Sequence, residues 1–550
     1  MGNKNIGIFI LLLSGIFVIF SIDIYINGEV WLFGIILLLL PPWPKLKRIC
    51  KALIKNLKSK SILQVLIFFI PIVSFFAFIN PEHSHRDEYI LGYYGFAHDF
   101  RGISFFGPVP DSTADWITRF PSLQFYFQKI WLTIFGVNFL SLKSSSVIYI
   151  FVIGIVIYLI SKRIVATNRA WISVLIYAFF APFLYLNTFA IPNTYASLCL
   201  VAFVYSLIRL DEKKNVQNIT FTAVTLGLCF LNYEGAWLAA PVFVVYQIYA
   251  FVKNRKDIKK QLIEIVLITM FTLTICFGYI AWAIKNNDMY MVRTQEVIAI
   301  SNNAGNTYTL ENNILNPITA VFKDGMSGVD DYWYGHQAYL SPINAIVLIP
   351  GIVLLLISKD KKTKIVSFLL LSSIVFGVIF SYILVKQPPG IHRIIMISPF
   401  VIICMAYTFS ELVDYRRIGG YFLLTLVVIS NIYELVTINQ KEYPRADYAP
   451  IYATELRDKQ YKGYLIEVIG YQNYAFSKYL YFLENKREAP PEDLSYYIGN
   501  YSKFRDEKIF FAVLKLNSDE ENLFTTTYAN IVKLDFSDPY LAFYIYSAGK

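Results

Sequence analysis

Unbroken apolar runs of about 17 to 23 residues recur from residue 6 to about residue 436, each long enough to cross roughly 30 Å of hydrocarbon as a helix. They predict spans at 6–26, 29–43, 61–79, 144–160, 169–187, 191–209, 217–232, 235–252, 261–283, 342–358, 364–384, 391–410 and 418–436. The chain therefore reads as a polytopic α-helical membrane protein with about thirteen transmembrane helices. In the short runs 29–43 and 217–232, Pro41-Pro42 and the stretch Asn232 to Gly235 mark places for broken or re-entrant helices.

From about 437 the pattern changes to mixed and polar. Strand-like stretches at 463–469, 508–516, 528–536 and 541–546, with a helical stretch at 474–483, predict a small C-terminal α/β domain. Three segments follow: 1–60 with two N-terminal spans and a basic tail, a membrane domain at 61–436, and the domain at 437–550. Within the tail, residues 45–60 place Leu46, Ile49, Leu53 and Leu57 at helical spacing opposite lysines, an interfacial helix suited to anionic headgroups.

Composition agrees. Hydrophobic residues make up 56% of the chain and charged ones 16%, and the mean hydropathy is +0.49, too apolar for one soluble core. The net charge of +10 does not imply a nucleic-acid partner, because of where the cations sit. Lys45, Lys47, Arg48, Lys51, Lys55, Lys58 and Lys60 form one cluster. Lys162, Arg163 and Arg169, then Lys253, Arg255, Lys256, Lys259 and Lys260, then Lys359, Lys361, Lys362 and Lys364 follow at alternate loops. Read by the positive-inside rule, these loops are cytoplasmic, the N-terminus is cytoplasmic, and the C-terminal domain lies outside, most simply at the cytoplasmic membrane. Lys4 precedes an apolar run without a small-residue cleavage site, which reads as a retained anchor. The five cysteines, Cys50, Cys199, Cys229, Cys276 and Cys404, lie in spans or beside a basic loop, so no disulfide framework is expected.

Two outer loops, 80–143 and 284–341, are too long to be simple connectors. The first opens His83-Ser84-His85-Arg86-Asp87-Glu88-Tyr89 just past a span, continues through His98-Asp99, Arg101, Asp111, Asp115 and Arg119-Phe120-Pro121, and ends in an aromatic amphipathic stretch from Leu123 to Phe139. Adjacent carboxylates at a membrane interface either solvate a helix end or serve chemistry.

That arrangement, together with the short hairpin running from Ala181-Pro182 to Ile191-Pro192-Asn193, resembles the GT-C glycosyltransferases, in particular protein O-mannosyltransferases and lipid A aminoarabinose transferases. The resemblance covers about 61–436 and implies an inverting membrane enzyme that moves a sugar from a polyprenyl-phosphate carrier to a glycan, lipid or protein acceptor outside the membrane. Asp87 and Glu88 match the acidic residues of that class, with Asp87 as base and Glu88 as its neighbour or substitute. An acceptor hydroxyl needs a carboxylate to take its proton, whereas the leaving phosphate is already a stable anion and needs only cations to hold it.

His392 and Arg393, in a tight turn at headgroup depth where the class carries an arginine, are the first candidates for that grip; Arg119 and Lys143 are further ones. Snorkelling to the interface is the rival role for Arg393. Glu234, an acid between two apolar runs, together with Asp99, Asp331 and His336, could line the same cavity. All five histidines map to the outer side, but scattered loop histidines are commonly solvated and a monophosphate donor leaves without a divalent ion, so no metal and no cofactor are expected. Two rivals remain. A flippase or transporter of lipid-linked sugars would place charges near the midplane, often with inverted repeats, and a glycan polymerase or ligase would need a diphosphate donor.

Overall fold

The computed structural model describes residues 66–79, 139–253, 257–286, 338–380 and 394–440. It also describes 7–8, 10–12, 27–39, 88, 91–92, 95, 105–107, 121, 123–137 and 321–322, and four strands nearer the C-terminus. The expected interfacial helix at 45–60, Cys50 and most of the loop 284–341 lie outside the described residues.

The helices in chain order are α1 (Asn27–Leu39), α2 (Ile70–Phe78), α3 (Leu123–Phe135), α4 (Phe139–Ser144), α5 (Val147–Ile164), α6 (Trp171–Phe179), α7 (Ala181–Asn187) and α8 (Pro192–Glu212). Then follow α9 (Val216–Phe230), α10 (Ala239–Lys253), α11 (Ile258–Lys285), α12 (Pro342–Ile357), α13 (Lys361–Val378), α14 (Ser398–Tyr415) and α15 (Arg417–Gln440). Each expected span from 29–43 to 418–436 overlaps at least one of them; of 6–26 only a few helical residues are described. Among the described residues, Leu140–Ile164, Pro192–Glu212, Glu234–Lys253, Ile258–Lys285, Ile395–Tyr415 and Arg417–Ile438 are long and apolar enough to cross a membrane.

Boundaries follow local chemistry. Asn215 accepts the Asn218 N–H at 2.9 Å and Asp360 the Thr363 N–H at 2.9 Å, capping α9 and α13. Prolines at the first turn start α8, α12 and α14. The expected single span 169–187 is instead broken into α6 and α7. Phe180 turns extended (φ −66°, ψ 104°) ahead of Pro182, which has no N–H to continue the ladder.

The core is a helical bundle in which α8 packs on α5 and α9, α9 on α11, and α12 and α6 on α14. Basic loops meet at one end. Arg163 pairs with Glu212 at 3.1 Å, Lys253 with Asp211 at 3.0 Å and Lys214 with Glu264 at 3.0 Å, while Arg169 reaches Asp414. Lys361 and Lys362 line the same cleft as Arg163 and Lys253. The basic clusters from 162 to 364 therefore share one face of the bundle.

Toward the C-terminus, β1 (Tyr464–Glu467), β2 (Ile509–Leu514), β3 (Val532–Leu534) and β4 (Phe543–Ala548) form one sheet in the order β1-β2-β4-β3. β1 and β2 are parallel, with Tyr464 opposite Ile509; the other pairs are antiparallel. The strands overlap the four expected stretches, with β4 running two residues past the last. A parallel pair needs a long crossover, for which residues 468–508 leave room, and the helix expected at 474–483 lies outside the described residues.

Candidate functional site

At the end of the bundle opposite the basic loops, three pieces of chain far apart in sequence meet. The first is Glu88, from the acidic motif. The second is Lys143, in α4. The third is the turn Thr188-Phe189-Ala190 between α7 and α8.

Lys143 Nζ donates to Glu88 Oε2 at 2.9 Å, and both side chains are 0% exposed. The Ala190 N–H donates to Glu88 Oε1 at 3.0 Å, and Lys143 also donates to the Thr188 carbonyl at 3.4 Å. Its ammonium stands 4.8 Å from the centre of the Phe189 ring. A buried ion is tolerated only when paired and hydrogen-bonded, and each charge here is met from more than one side. The turn is braced in its own right: Thr194 donates to Asn187 Oδ1 at 2.6 Å, and Thr188 Oγ1 to the Tyr185 carbonyl at 2.6 Å.

This corrects the reading of Lys143 as a phosphate-binding cation. Its charge is neutralised inside the protein and has no exposed surface to offer a headgroup. Glu88 likewise has both oxygens occupied within the fold, which leaves it unsuited to taking a proton from an acceptor. The turn that holds both was visible in sequence only as a pair of prolines; its contribution is backbone N–H and C=O, which side-chain motifs do not reveal.

The aromatic stretch forms α3, which buries Leu123, Gln124, Phe125, Gln128 and Leu132 and exposes Phe127, Ile130, Ile134 and Phe135. An amphipathic helix with apolar residues outward as well as inward fits the lipid interface. Trp131 Nε1 donates to Ser144 Oγ at 3.1 Å, tying α3 to the end of α4 that bears Lys143.

Glu234, half-buried, opens a short 3₁₀ turn from Glu234 to Leu238 at this same end. Just before it, Asn232 is buried and its Oδ1 accepts the Tyr233 N–H at 2.6 Å. Gly235 abuts the turn Ile395–Ile397: a Cβ there would lie 2.1 Å from Met396 Cε. α8 packs on both turns. Glu234 thus neighbours the segment that directly follows His392 and Arg393 in the chain. Tyr339 and Ser398 hydrogen-bond through their hydroxyls beside it, a contact no sequence signal announced. Asp87, Asp99, Arg119, Asp331, His336, His392 and Arg393 lie outside the described residues. Among the described residues no cluster of metal-ligating side chains occurs.

The sequence profile of the family described as dolichyl-phosphate-mannose-protein mannosyltransferase matches residues 120–282, a stretch that holds Lys143, the 181–193 hairpin and Glu234 but begins after Asp87 and Glu88. No curated protein matches the chain by sequence. Among solved structures, ArnT from Cupriavidus metallidurans bound to undecaprenyl phosphate superposes with a TM-score of 0.58 at 10% identity, covering 88% of this chain and 98% of that one. The same protein in the apo state gives 0.56 at 10% identity, covering 88% and 97%. The archaeal oligosaccharyltransferase AglB from Archaeoglobus fulgidus, with an inhibitory peptide and a dolichol-phosphate, gives 0.49 at 11% identity over 82% and 69%. The chain is an integral multi-pass membrane protein that resembles the GT-C glycosyltransferases, with the fold of ArnT.

Proposed function

We propose that this chain transfers a sugar from a polyprenyl-phosphate carrier to an acceptor at the outer face of the membrane. The observation that carries the reading is the docking of the acidic motif onto the hairpin turn through Glu88, Lys143 and Ala190, within a chain that shares the fold of a transferase whose structure holds undecaprenyl phosphate.

In this reading the acceptor hydroxyl attacks the anomeric carbon while the bond from that carbon to the phosphate oxygen breaks. The hydroxyl proton passes to Asp87, and the polyprenyl phosphate leaves as an anion held by Arg393, with His392 and Arg119 beside it. Inversion at the anomeric carbon is carried over from the family resemblance. Glu234, next to the turn that follows Arg393, borders the same cavity. Asp99, Asp331 and His336 belong to the acceptor side, with the aromatics around Trp333 suited to stacking on sugar. In this reading the basic loops face the cytoplasm, the N-terminus is inside, and the 437–550 segment lies outside.

The full chain in lipid nanodiscs, given radiolabelled polyprenyl-phosphate sugars that differ in the sugar, tests this directly. Transfer should occur with at least one donor and be lost in D87N. Transfer that persists in D87N removes the proposed base, and carrier crossing the bilayer without any transfer points to a flippase instead.

A further inference from the structure

We propose that the basic end of the bundle binds one anionic diacyl phospholipid, with its phosphate in the cleft that Lys361 and Lys362 line and an acyl chain in the groove that runs along α13 from Lys364. The cleft lies at the end of the bundle opposite the Glu88–Lys143 pair, so the lipid site stands whether or not the chain transfers sugar.

Charge in the cleft is unbalanced. Four cations, Arg163, Lys253, Lys361 and Lys362, line it against two carboxylates, Asp211 and Glu212. Both acids are already engaged: Glu212 accepts from Arg163 at 3.1 and 3.4 Å, and each oxygen of Asp211 accepts from Lys253 at 3.0 Å. Among the described residues no carboxylate forms an ion pair with Lys361 or Lys362, and both are exposed. Asp360 stands near Lys362, but its carboxylate accepts from the N–H and hydroxyl of Thr363 at 2.9 Å each. Nor do these lysines serve their own helix. In the first turn of α13 a cation opposes the positive end of the helix dipole, and no acid in that turn offsets it. They remain available to an anion from outside, and the cleft, about 400 Å³ between α5, α8, α10 and α13, is of a size that holds small ligands.

The groove decides which anion fits. Its lining is mainly apolar and runs along α13 from Lys364 to Phe376, about 18 Å of helix at 1.5 Å per residue, against Leu355 and Leu356 of α12. One leaflet of a hydrocarbon core about 30 Å thick is about 15 Å deep, so the groove has the reach of an acyl chain. Leu356 and Val375 on it are exposed, which in a spanning bundle means exposed to lipid. Cleft and groove share a wall: Phe368 in the groove stacks on Tyr249 at 5.1 Å, and Lys253 in the cleft stands 5.5 Å from the centre of that same Tyr249 ring. One lipid can place its phosphate and a chain on the two sides of this wall, as anionic headgroups occupy basic pockets between spanning helices. A phosphate in the cleft would also tie together the ends of four helices.

Full-length protein in a neutral detergent, titrated with palmitoyl-oleoyl phosphatidylglycerol or with the phosphatidylcholine of the same chains, is read by native mass spectrometry and thermal unfolding. Phosphatidylglycerol should be retained at one copy per chain at concentrations where phosphatidylcholine is not, and should raise the unfolding temperature. K361Q/K362Q changes only exposed side chains and should unfold as the parent does in phosphatidylcholine. It should bind phosphatidylglycerol about 30-fold more weakly, the loss expected of two such cations. K259Q/K260Q removes the same charge from exposed positions of α11 outside the cleft and should bind as the parent does. V375W fills the groove with every cation in place and should weaken binding by about tenfold. The lipid site is ruled out if phosphatidylcholine is held as tightly, if K259Q/K260Q weakens binding as much as K361Q/K362Q, if V375W leaves binding unmoved, or if glycerol phosphate competes as well as the intact lipid.

Discussion

Asn344 and Asn431 exchange a reciprocal pair of amide hydrogen bonds, 3.1 and 3.0 Å, in the buried interior between α12 and α15. Asn431 Oδ1 also accepts the Ala181 N–H at 3.0 Å, the first donor of α7, freed because the chain breaks at Phe180. Where lipid is the solvent no water can satisfy that N–H, so the amide pair is what permits a helix to break at this depth. The break in turn sets the angle at which α7 delivers Thr188 and Ala190 to Lys143 and Glu88.

Replacing either asparagine should therefore loosen the hairpin, but not equally. Asn431→Leu strips a partner from both Asn344 and Ala181, whereas Asn344→Leu leaves Asn431 bonded to Ala181 and to the Val427 carbonyl. At about 0.6 to 1.7 kcal/mol per polar contact inside a membrane protein, N431L is expected to cost roughly 1 to 3 kcal/mol and N344L about half of that. Thermal unfolding in detergent reads the order; equal losses would mean that Ala181 finds another acceptor.

Much of this architecture was legible in the run lengths alone, because an apolar stretch with no polar alternative has to become a helix in lipid. The places where it was not legible are polar or proline-marked. Positions 169–187 read as one span since Phe180 and Pro182 are apolar, yet Pro182 stops the ladder. Lys143 read as an outward cation because it borders an aromatic helix, and only the folded turn from Thr188 to Ala190 reveals that its charge is used within the protein. Glu88 stood out from sequence, but that its carboxylate is bonded within the fold depends on a backbone N–H 102 residues away.

Close helix contact makes a second test. Gly351, one residue after Pro350 in α12, faces α14 so closely that a Cβ would lie 2.2 Å from the Cys404 carbonyl oxygen and 2.7 Å from Thr408 Oγ1. Gly351→Ala should push α12 off α14 and cost about 1 to 3 kcal/mol, as overpacking does. Gly419 in α15 is the control: its Cβ would meet nothing nearer than Arg416 Cβ at 3.8 Å, and Gly419→Ala should be neutral or gain up to about 1 kcal/mol from helix propensity. If both substitutions behave alike in thermal unfolding, close approach is not what holds α12 to α14.

Asp360 makes stability depend on pH at the basic end. The N–H and hydroxyl of Thr363, with the N–H of Lys362, hold its carboxyl below the ordinary aspartate range. A depressed native value means that the charged form is favoured by folding, so its contribution is complete above the unfolded value of about 3.9 and fades as pH falls through the native one. Asp360→Asn should thus lower the unfolding temperature at pH 7 and converge with wild type in acid. A gap between them that stays constant down to the lowest pH the protein survives would show that the capping bond, not the charge, matters.

Asp87 and Arg393 should fail in different ways, which distinguishes proton transfer from leaving-group binding. Asn at 87 keeps the size and much of the polarity of the side chain but cannot take a proton, so carrier binding should persist while kcat falls by about 10² to 10⁴. If Asp87 is the base, as proposed, it must be ionised to act, so the wild-type rate should drop in acid and the residual rate of D87N should lose that acid limb. On the proposed mechanism, Arg393→Ala removes the cation that would hold the phosphate before and during bond cleavage. It should weaken carrier binding and slow turnover together while leaving the acid limb in place. A D87N protein that retains the same acid limb as wild type would assign the titrating base to another residue, with Glu234, beside the turn that follows Arg393, the next to replace by Gln.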